Sequence, residues 1–348
     1  LAVCFVFKIL LSAYFPLTGD EAYYQIWGER FAWGYYDHTP FICWFLHPFL
    51  MISHSMVMLR LPATLVTSII GFLIFLLLRP YDDRKAMLIS VLFFISPLNL
   101  LGVLMTTDIP LILFSFLSGL FLFLAIKHEE NLWFYFLSGI CLGLAFFSKY
   151  FAVLLALSYF VYFLISAKCW KRTIGFVIVF LCVLPFGLEN LYWNYTHGWA
   201  NILFNVYNRN EGIRFSWETM LVYIFIIFYI ITPPLFYYFC KHSKKLFKSP
   251  EQREFRILTV SLFAPLFFFL VLSAFKSIGL HWPLSFIPFA YLLVILYLSE
   301  KEIIRSIQVM AWLTAIHVIL VAILIVMPVT YWQHFGIQGS QYANLVFA

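Results

Sequence analysis

The first 41 residues carry the stretch that decides the fold. Residues 1–16 read LAVCFVFKILLSAYFP, an apolar run with one lysine inside it. The run is followed by LTGDEAYYQIWG at residues 17–28 and by WGYYDHTPF at residues 33–41. A glycine and two acids directly after an apolar run predict a helix start, with Asp20 as the N-cap. We therefore expect a spanning helix that opens into a polar loop containing short amphipathic helices.

The composition extends this interpretation to the whole chain. Of its 348 residues, 64% are hydrophobic, 11% are charged and 42 are Phe. A soluble domain is about 45–50% apolar and about 25% charged. These values exclude a soluble globular enzyme, a disordered chain and a nucleic-acid-binding domain, and the net charge of +6 is better explained by basic loops than by an acidic partner. The chain is expected to be embedded in a membrane.

Runs of about 20 mainly apolar residues predict spanning helices. An all-α, polytopic protein with about eleven spans follows from counting them. The chain starts at Leu1 without Met, so its N-terminus is expected to be trimmed. The predicted spans are residues 1–16, 57–78, 86–104, 109–126, 132–148, 150–167, 173–189, 219–240, 256–275, 282–299 and 306–328.

The basic residues predict the orientation of these spans. Most of the 22 Lys and Arg residues fall in short loops on one side, such as Lys241–Lys248. By the positive-inside rule that side is cytoplasmic, together with the N-terminus. The sequence thus predicts a single domain over 1–348 in a bacterial inner membrane. The loops expected on the periplasmic side are 17–56, 105–108, 190–218 and 276–281.

The periplasmic loops contain the acids and histidines that are candidates for chemistry. Ionisable groups near membrane depth are costly, so a group of them predicts a polar cavity. Each acid also has a structural explanation. Asp20 and Glu21 favour the positive end of a helix dipole, and Asp108 in Thr-Asp-Ile-Pro fits a helix start. Both explanations remain open at this point.

The motifs of the first loop resemble those of the membrane glycosyltransferases with the C-type fold. The resemblance is nearest to the branch of the lipid A aminoarabinose transferase and extends to protein O-mannosyltransferases. It rests on GDEAYY at residues 19–24 and GYYDHTP at residues 34–40, followed in family order by weaker motifs. Those weaker motifs are TTDIP at 106–110, FSKY at 147–150, ENLYWNYTHGW at 189–199, and Lys276 with HWP at 281–283.

The resemblance implies an enzyme that takes a monosaccharide from a polyprenyl phosphate. It implies catalytic roles for Asp20, Glu21 and Asp108, with a carboxylate able to accept the proton of the acceptor. Lysines and arginines would bind the leaving phosphate, because cations form charge-assisted hydrogen bonds with it. The implied substrate-binding residues are Tyr35, Tyr36, Asp37, His38, Lys149, His197, Arg214, Lys276 and His281.

The resemblance also implies one divalent metal ion, held by Asp37 and His197. Two ligands from separate loops are by themselves a weak metal signal, and a histidine at an interface is commonly just hydrogen-bonded. The chain departs from the aminoarabinose transferase branch at His38, where Lys is usual, and at Thr39, where Pro is usual. A different sugar or lipid head group is one consequence of this departure.

The predicted function is inverting transfer of a hexose or pentose to a lipid acceptor. Lipid A is the acceptor that the resemblance favours most. The predicted partners are the lipid-linked donor, the lipid acceptor and membrane lipids, with no nucleic acid. Two alternatives remain open. One is a protein O-mannosyltransferase-like enzyme, and the other is a transporter of lipid-linked sugar. A transporter would be expected to show inverted repeats and broken helices in matching halves, and the sequence shows neither.

Overall fold

The computed structural model describes residues 2–166, 169–207, 214–246 and 253–326. Within these ranges the chain is helical and contains no strand. The all-α prediction is therefore confirmed. In chain order the helices are α1 (Ala2–Tyr14), α2 (Gly19–Glu29), α3 (Phe41–Leu50), α4 (Met56–Leu78), α5 (Asp83–Ile95), α6 (Pro97–Leu101), α7 (Asp108–Lys127), α8 (Leu132–Ser148), α9 (Ala152–Ile165), α10 (Trp170–Thr196), α11 (Ala200–Val206), α12 (Trp217–Ile231), α13 (Pro233–Lys241), α14 (Ser243–Leu246), α15 (Arg253–Ser273), α16 (Ile287–Tyr297) and α17 (Glu300–Val326). A 3-10 turn, Leu284–Phe286, precedes α16.

Each of the eleven predicted apolar runs overlaps at least one of these helices. Among the described residues, five helices are long and apolar enough to cross a membrane. The number rises to seven if each of two bent helix pairs counts as one span. Several other helices are apolar but shorter. The structure thus confirms a multi-pass protein, while the exact count of eleven stays a prediction.

Two predicted spans are broken, which the sequence analysis did not anticipate. The run 86–104 is interrupted at Ser96, before Pro97. The run 219–240 is interrupted at Thr232, whose φ is +77°, and α13 leaves α12 at an angle of 100°. Proline disfavours the helical conformation of the residue before it, which explains both breaks. In the same way, α2 leaves α1 at an angle of 92°.

The chain divides into two compact units, and the single-domain assignment stays a prediction. The first unit comprises residues 1–32, 42–109 and 300–348. In its described part, α4 and α17 both pack against α5, and α1 packs against α4. Gly71 in α4 allows this close packing, because a Cβ there would lie 2.4 Å from the ring of Phe94.

The second unit comprises residues 33–41 and 110–299. Helix α8 runs along α10, and α15 packs against both α9 and α16. Gly139 lets α8 approach α10 closely, since a Cβ there would lie 2.7 Å from the carbonyl oxygen of Val179. Small residues serve this purpose between membrane helices. Helix α16 is buried on every side, as expected for a uniformly apolar helix.

The predicted periplasmic loops contain structure that positions the candidate residues. Loop 17–56 holds α2 and α3, so the two short helices expected there are confirmed. Segment 105–108 is non-helical up to the start of α7. Loop 190–218 holds the end of α10 and the whole of α11, and its residues 208–213 lie outside the described residues.

Candidate functional site

Three of the predicted residues, Asp20, Glu21 and Asp108, lie in the first unit, and two of them are at the start of α2. The N-cap is Thr18, so the prediction that Asp20 caps this helix was wrong. Thr18 Oγ1 accepts from the backbone N–H of Glu21, and Glu21 Oε2 accepts from the N–H of Thr18. This reciprocal pattern is a capping box, which requires the Glu three positions after the cap. Glu21 therefore points inward, while Asp20 is exposed.

Glu21 is completely buried in an ion pair with Arg60 of α4. Arg60 Nε lies 2.8 Å from Oε1, and Nη2 lies 2.6 Å from Oε2. The guanidinium also donates to the carbonyl oxygens of Ser12, Phe15 and Pro16, at 2.9, 2.6 and 2.7 Å. The pair thus fixes the sharp bend between α1 and α2. We interpret Glu21 as a positioning residue, which differs from the catalytic role that the sequence predicted.

The segment that precedes Asp108 is fixed by two buried charges. Lys8 Nζ donates to Thr67 Oγ1 at 2.6 Å and to the carbonyl oxygens of Asn99 and Gly102 at 2.7 and 3.1 Å. Three residues beyond Gly102, the backbone N–H of Met105 donates to Glu21 Oε1 at 3.1 Å. These contacts order a chain that has no helical hydrogen bonds of its own.

Asp108 follows this segment as the first residue of α7 and is 5% exposed. Its position at a helix start agrees with the structural explanation given above. That explanation does not exclude a role at the substrate, because a carboxylate at a helix N-terminus is held rigidly. Asp20 and Asp108 are thus both ordered by the same buried framework of Lys8, Glu21 and Arg60.

The second unit contains a cavity with a volume of about 50 Å³. One water needs about 10–15 Å³ on this measure, so the cavity has room for a group the size of a phosphate. It brings together three predicted residues, Asp37, His38 and Lys149. His38 Nε2 lies 3.8 Å from Asp37 Oδ2. The other lining residues, which the prediction did not include, are Thr39, Tyr150, Phe151 and Asn205.

Lys149 reaches the cavity because the chain is extended between α8 and α9. Its φ and ψ are −169° and 143°, and its backbone N–H closes the end of α8 on Ala145. Lys149 Nζ lies 5.4 Å from the centre of the Phe151 ring, a cation–π geometry. The break in the helix therefore places a half-buried cation at the cavity instead of in lipid.

The loop that carries Asp37 is held by the side chains of α11. Asn201 Nδ2 donates to the carbonyl oxygen of Tyr35 at 2.8 Å, and Asn205 Nδ2 donates to that of Asp37 at 3.1 Å. The two asparagines are four residues apart and so share one face of the helix. A left-handed turn at Gly198 and Trp199 separates α11 from α10. Tyr35 thus contributes its backbone to the site's framework.

Tyr150 links this loop framework to α10. Its hydroxyl oxygen lies 2.6 Å from Asn201 Oδ1 and 3.0 Å from Asn190 Oδ1, so the two amide oxygens share its one hydrogen. On the other side of the loop, Gly34 lies against the indole of Trp193, and a Cβ there would be 2.4 Å from that ring. The conformation of the Asp37 loop is therefore determined by amide and aromatic contacts with α10 and α11.

Comparison with known proteins agrees with the fold predicted from the sequence. Residues 37–193 match the model of the dolichyl-phosphate-mannose-protein mannosyltransferase family. The structure matches that of ArnT from Cupriavidus metallidurans bound to undecaprenyl phosphate, with a TM-score of 0.72 and 17% sequence identity. The match covers 90% of this chain and 62% of that one. The chain has the C-type glycosyltransferase fold.

The apo structure of the same ArnT matches this C-type fold with a TM-score of 0.67, 17% identity and the same coverage of both chains. No curated protein matches the sequence. The family resemblance predicted from the sequence is thus confirmed. The chain spans about three fifths of the length of the solved structures that it matches.

The remaining predicted substrate-binding residues lie elsewhere in the second unit. The exposed ring of His197 stacks on Trp193 with the centroids 4.2 Å apart. Lys276 Nζ lies 5.6 Å from the centre of the Trp282 ring. Three further predicted residues do not line the cavity: Tyr36, which packs on Phe204, and the exposed Arg214 and His281.

The described residues do not form a metal site. Within residues 2–166, 169–207, 214–246 and 253–326, no group of three His, Cys, Asp or Glu side chains is placed to hold an ion. His197 Nδ1 lies 2.8 Å from the carbonyl oxygen of Trp193, which occupies that nitrogen. The donor set of Asp37 and His197 is thus short of the three protein ligands that a catalytic zinc commonly has. We derive no step through a metal, and the metal stays a prediction.

Sequence reasoning missed two groups of residues and included Glu189 only as part of a motif. Arg60 was detectable as an arginine inside an apolar run, where a charge needs a partner. The asparagines of α11 gave no pattern without the fold. Glu189 has one carboxylate oxygen that is buried and has no hydrogen-bond partner among the described residues. An acceptor of this kind, next to the Asn190 that binds Tyr150, is suited to bind a hydroxyl group.

Proposed function

We propose that this chain is a membrane glycosyltransferase that moves a monosaccharide from a polyprenyl-phosphate donor to a lipid acceptor on the periplasmic face. The observation that carries the proposal is the cavity that unites Asp37, His38 and Lys149 in a chain with the C-type fold. A cavity of this size that is lined by a lysine, in a membrane protein, suits the head of a lipid phosphate.

The reaction breaks the bond between the sugar's anomeric carbon and the phosphate oxygen. The electron pair leaves with the polyprenyl phosphate, and Lys149 stabilises the charge that develops there. A new bond forms from the acceptor oxygen to the anomeric carbon. Direct displacement of this kind inverts the configuration of that carbon.

Asp20 is the carboxylate best suited to the acceptor. Its side chain is exposed at the start of α2, whereas the carboxylate of Glu21 is buried in the ion pair with Arg60. If the acceptor is a hydroxyl, Asp20 takes its proton as the new bond forms. If the acceptor is a phosphate, it is already ionised and Asp20 positions it. Asp108, held rigidly at the start of α7, is proposed to orient the sugar.

The acceptor distinguishes two enzymes. Lipid A is our first proposal, because the nearest resemblance is to transferases that modify it. The alternative is a polypeptide acceptor, which is favoured by the family model that matches residues 37–193 and is named for protein mannosylation. The third possibility is transport of the lipid-linked sugar, which would use the same polar groups without forming a glycosidic bond.

The test is donor turnover by purified protein in liposomes. Wild type and the Asp20→Asn and Asp108→Asn variants receive polyprenyl-phosphate sugars with lipid A or with peptides, and mass spectrometry identifies the products. Asp83→Asn is the matched control, because Asp83 is 71% exposed in a surface ion pair. We expect a sugar-sized mass gain on lipid A, retained in Asp83→Asn and reduced about 10²–10⁴-fold in Asp20→Asn if Asp20 is a general base.

Three outcomes would contradict the proposal. Transfer to peptides alone would assign the polypeptide acceptor. Movement of an intact labelled donor across the bilayer, with no new glycoside, would assign transport. Equal turnover by Asp20→Asn and Asp83→Asn would remove Asp20 from the mechanism.

A further inference from the structure

The second unit contains an apolar groove that the proposed transfer reaction does not use. It has a volume of about 530 Å³ and lies between α12, α13 and α15. Its walls include Ile224 and Ile227 of α12, Phe239 of α13, and Leu266 and Phe267 of α15. Ligand sites commonly measure about 300–1,000 Å³, so the groove is large enough for a chain of many methylene groups.

The break at Thr232 creates one end of this groove. Helix α12 has 15 residues and is therefore about 22 Å long. Helix α13 leaves it at 100°, so it runs across the direction of α12. Phe236, Phe239 and Cys240 of α13 all line the groove. A helix at right angles to a span, apolar on one face, has the geometry of a helix at the membrane interface.

Basic residues follow the part of α13 that lines the groove. Cys240 and Ser243 line the groove, and the exposed side chains of Lys241, Lys244 and Lys245 lie next to them in the chain. The groove thus has an apolar interior, and three exposed lysines are adjacent in the chain to lining residues at one end of it. An occupant that complements both must carry a hydrocarbon chain and an anionic head.

We propose that this groove binds an anionic glycerophospholipid, with an acyl chain along α12 and α15 and its phosphate beside Lys241, Lys244 and Lys245. The positive-inside rule places these lysines on the cytoplasmic side, where anionic lipids are concentrated. The phosphate cavity at Lys149 belongs to the opposite side in the same topology. The groove's lipid is therefore distinct from the polyprenyl-phosphate donor.

The test is native mass spectrometry of the full chain in detergent, titrated with phosphatidylglycerol, phosphatidylcholine or undecaprenyl phosphate. One variant replaces the three lysines, as Lys241→Gln/Lys244→Gln/Lys245→Gln. Each lysine near an anionic head is worth about a fivefold change in affinity, so the triple variant should bind phosphatidylglycerol about 100-fold more weakly. Lys301→Gln, an exposed lysine at the start of α17, is the charge control and should bind as wild type does.

A second variant fills the groove without changing its charge. Ile224→Trp adds bulk at a groove residue that is 45% exposed. Its matched control is Leu181→Trp, at a 58% exposed residue of a separate apolar groove between α9 and α10. We expect Ile224→Trp to release phosphatidylglycerol and Leu181→Trp to retain it, while both variants elute as wild type does on size exclusion.

Two kinds of result would overturn the proposal. Equal retention of phosphatidylcholine, or tighter binding of undecaprenyl phosphate that depends on the same lysines, would assign another occupant. Unchanged phosphatidylglycerol binding in both the lysine and the Ile224→Trp variants would show that the groove binds no lipid of this class. None of these measurements depends on sugar transfer, so the outcome is independent of the proposed function.

Discussion

Arg60→Met should destabilise the protein strongly, although Arg60 lies at no predicted catalytic position. Its guanidinium and the Glu21 carboxylate are both 0% exposed. Removing one partner of a buried ion pair costs about 3–5 kcal/mol, because the other charge is left without compensation. The substitution also leaves the carbonyl oxygens of Ser12, Phe15 and Pro16 without their donor.

The control is a salt bridge of the same chemistry on the surface. Arg79 Nε lies 2.8 Å from Asp83 Oδ1, with the two side chains 61% and 71% exposed. Such pairs contribute about 0–1 kcal/mol, so Arg79→Met should change stability little. Unfolding is followed in one detergent by denaturant titration and by thermal melting for wild type and both variants.

A double variant tests the assignment of Glu21 as a positioning residue. Arg60→Met/Glu21→Gln should lose less free energy of unfolding than the two single variants together, because both residues belong to one network. If Arg60→Met were as stable as Arg79→Met, the buried pair would not hold the bend between α1 and α2. Additive losses would likewise refute the reasoning.

Three further predictions test individual contacts. Lys8→Met should lower the unfolding free energy by about 1–3 kcal/mol, because it leaves buried oxygens without a donor, and the melting assay above measures it. Gly34→Ala should lower donor turnover by displacing the Trp193 ring, whereas Gly187→Ala, with nothing within 4 Å of its Cβ, should not. Tyr150→Phe should reduce turnover about tenfold while the protein stays folded, because the two amide oxygens lose the one hydrogen that they share, a hydrogen bond worth about 1 kcal/mol or more. Equal turnover by the two glycine variants, or by Tyr150→Phe and wild type, would refute the account of the Asp37 loop.

Much of the fold was predictable because the bilayer imposes a simple rule on sequence. A spanning segment must satisfy its backbone hydrogen bonds internally, so apolar runs become helices. Each predicted run overlaps a helix for this reason. The breaks at Ser96 and Thr232 were missed because the apolar composition continues through them. The prolines at 97 and 233 gave the available warning.

The site was predictable where a motif keeps its residues close in sequence. Asp37 and His38 lie in one loop, and the structure places Lys149 at the same cavity. The partner of Glu21 was not predictable, because Arg60 is 39 residues away and only the folded bundle brings them together. Asn201 and Asn205 were missed for the same reason, since their role follows from the turn between α10 and α11.

The most direct test of the central proposal is binding of undecaprenyl phosphate, which needs no acceptor. Affinity is measured for wild type, Lys149→Gln and the control Lys301→Gln, with undecaprenol as the ligand that lacks phosphate. The proposal predicts that wild type and Lys301→Gln prefer the phosphate and that Lys149→Gln loses about tenfold or more of that preference. Equal affinity for undecaprenol, or an unchanged preference in Lys149→Gln, would contradict a lipid-phosphate site at the Asp37, His38 and Lys149 cavity.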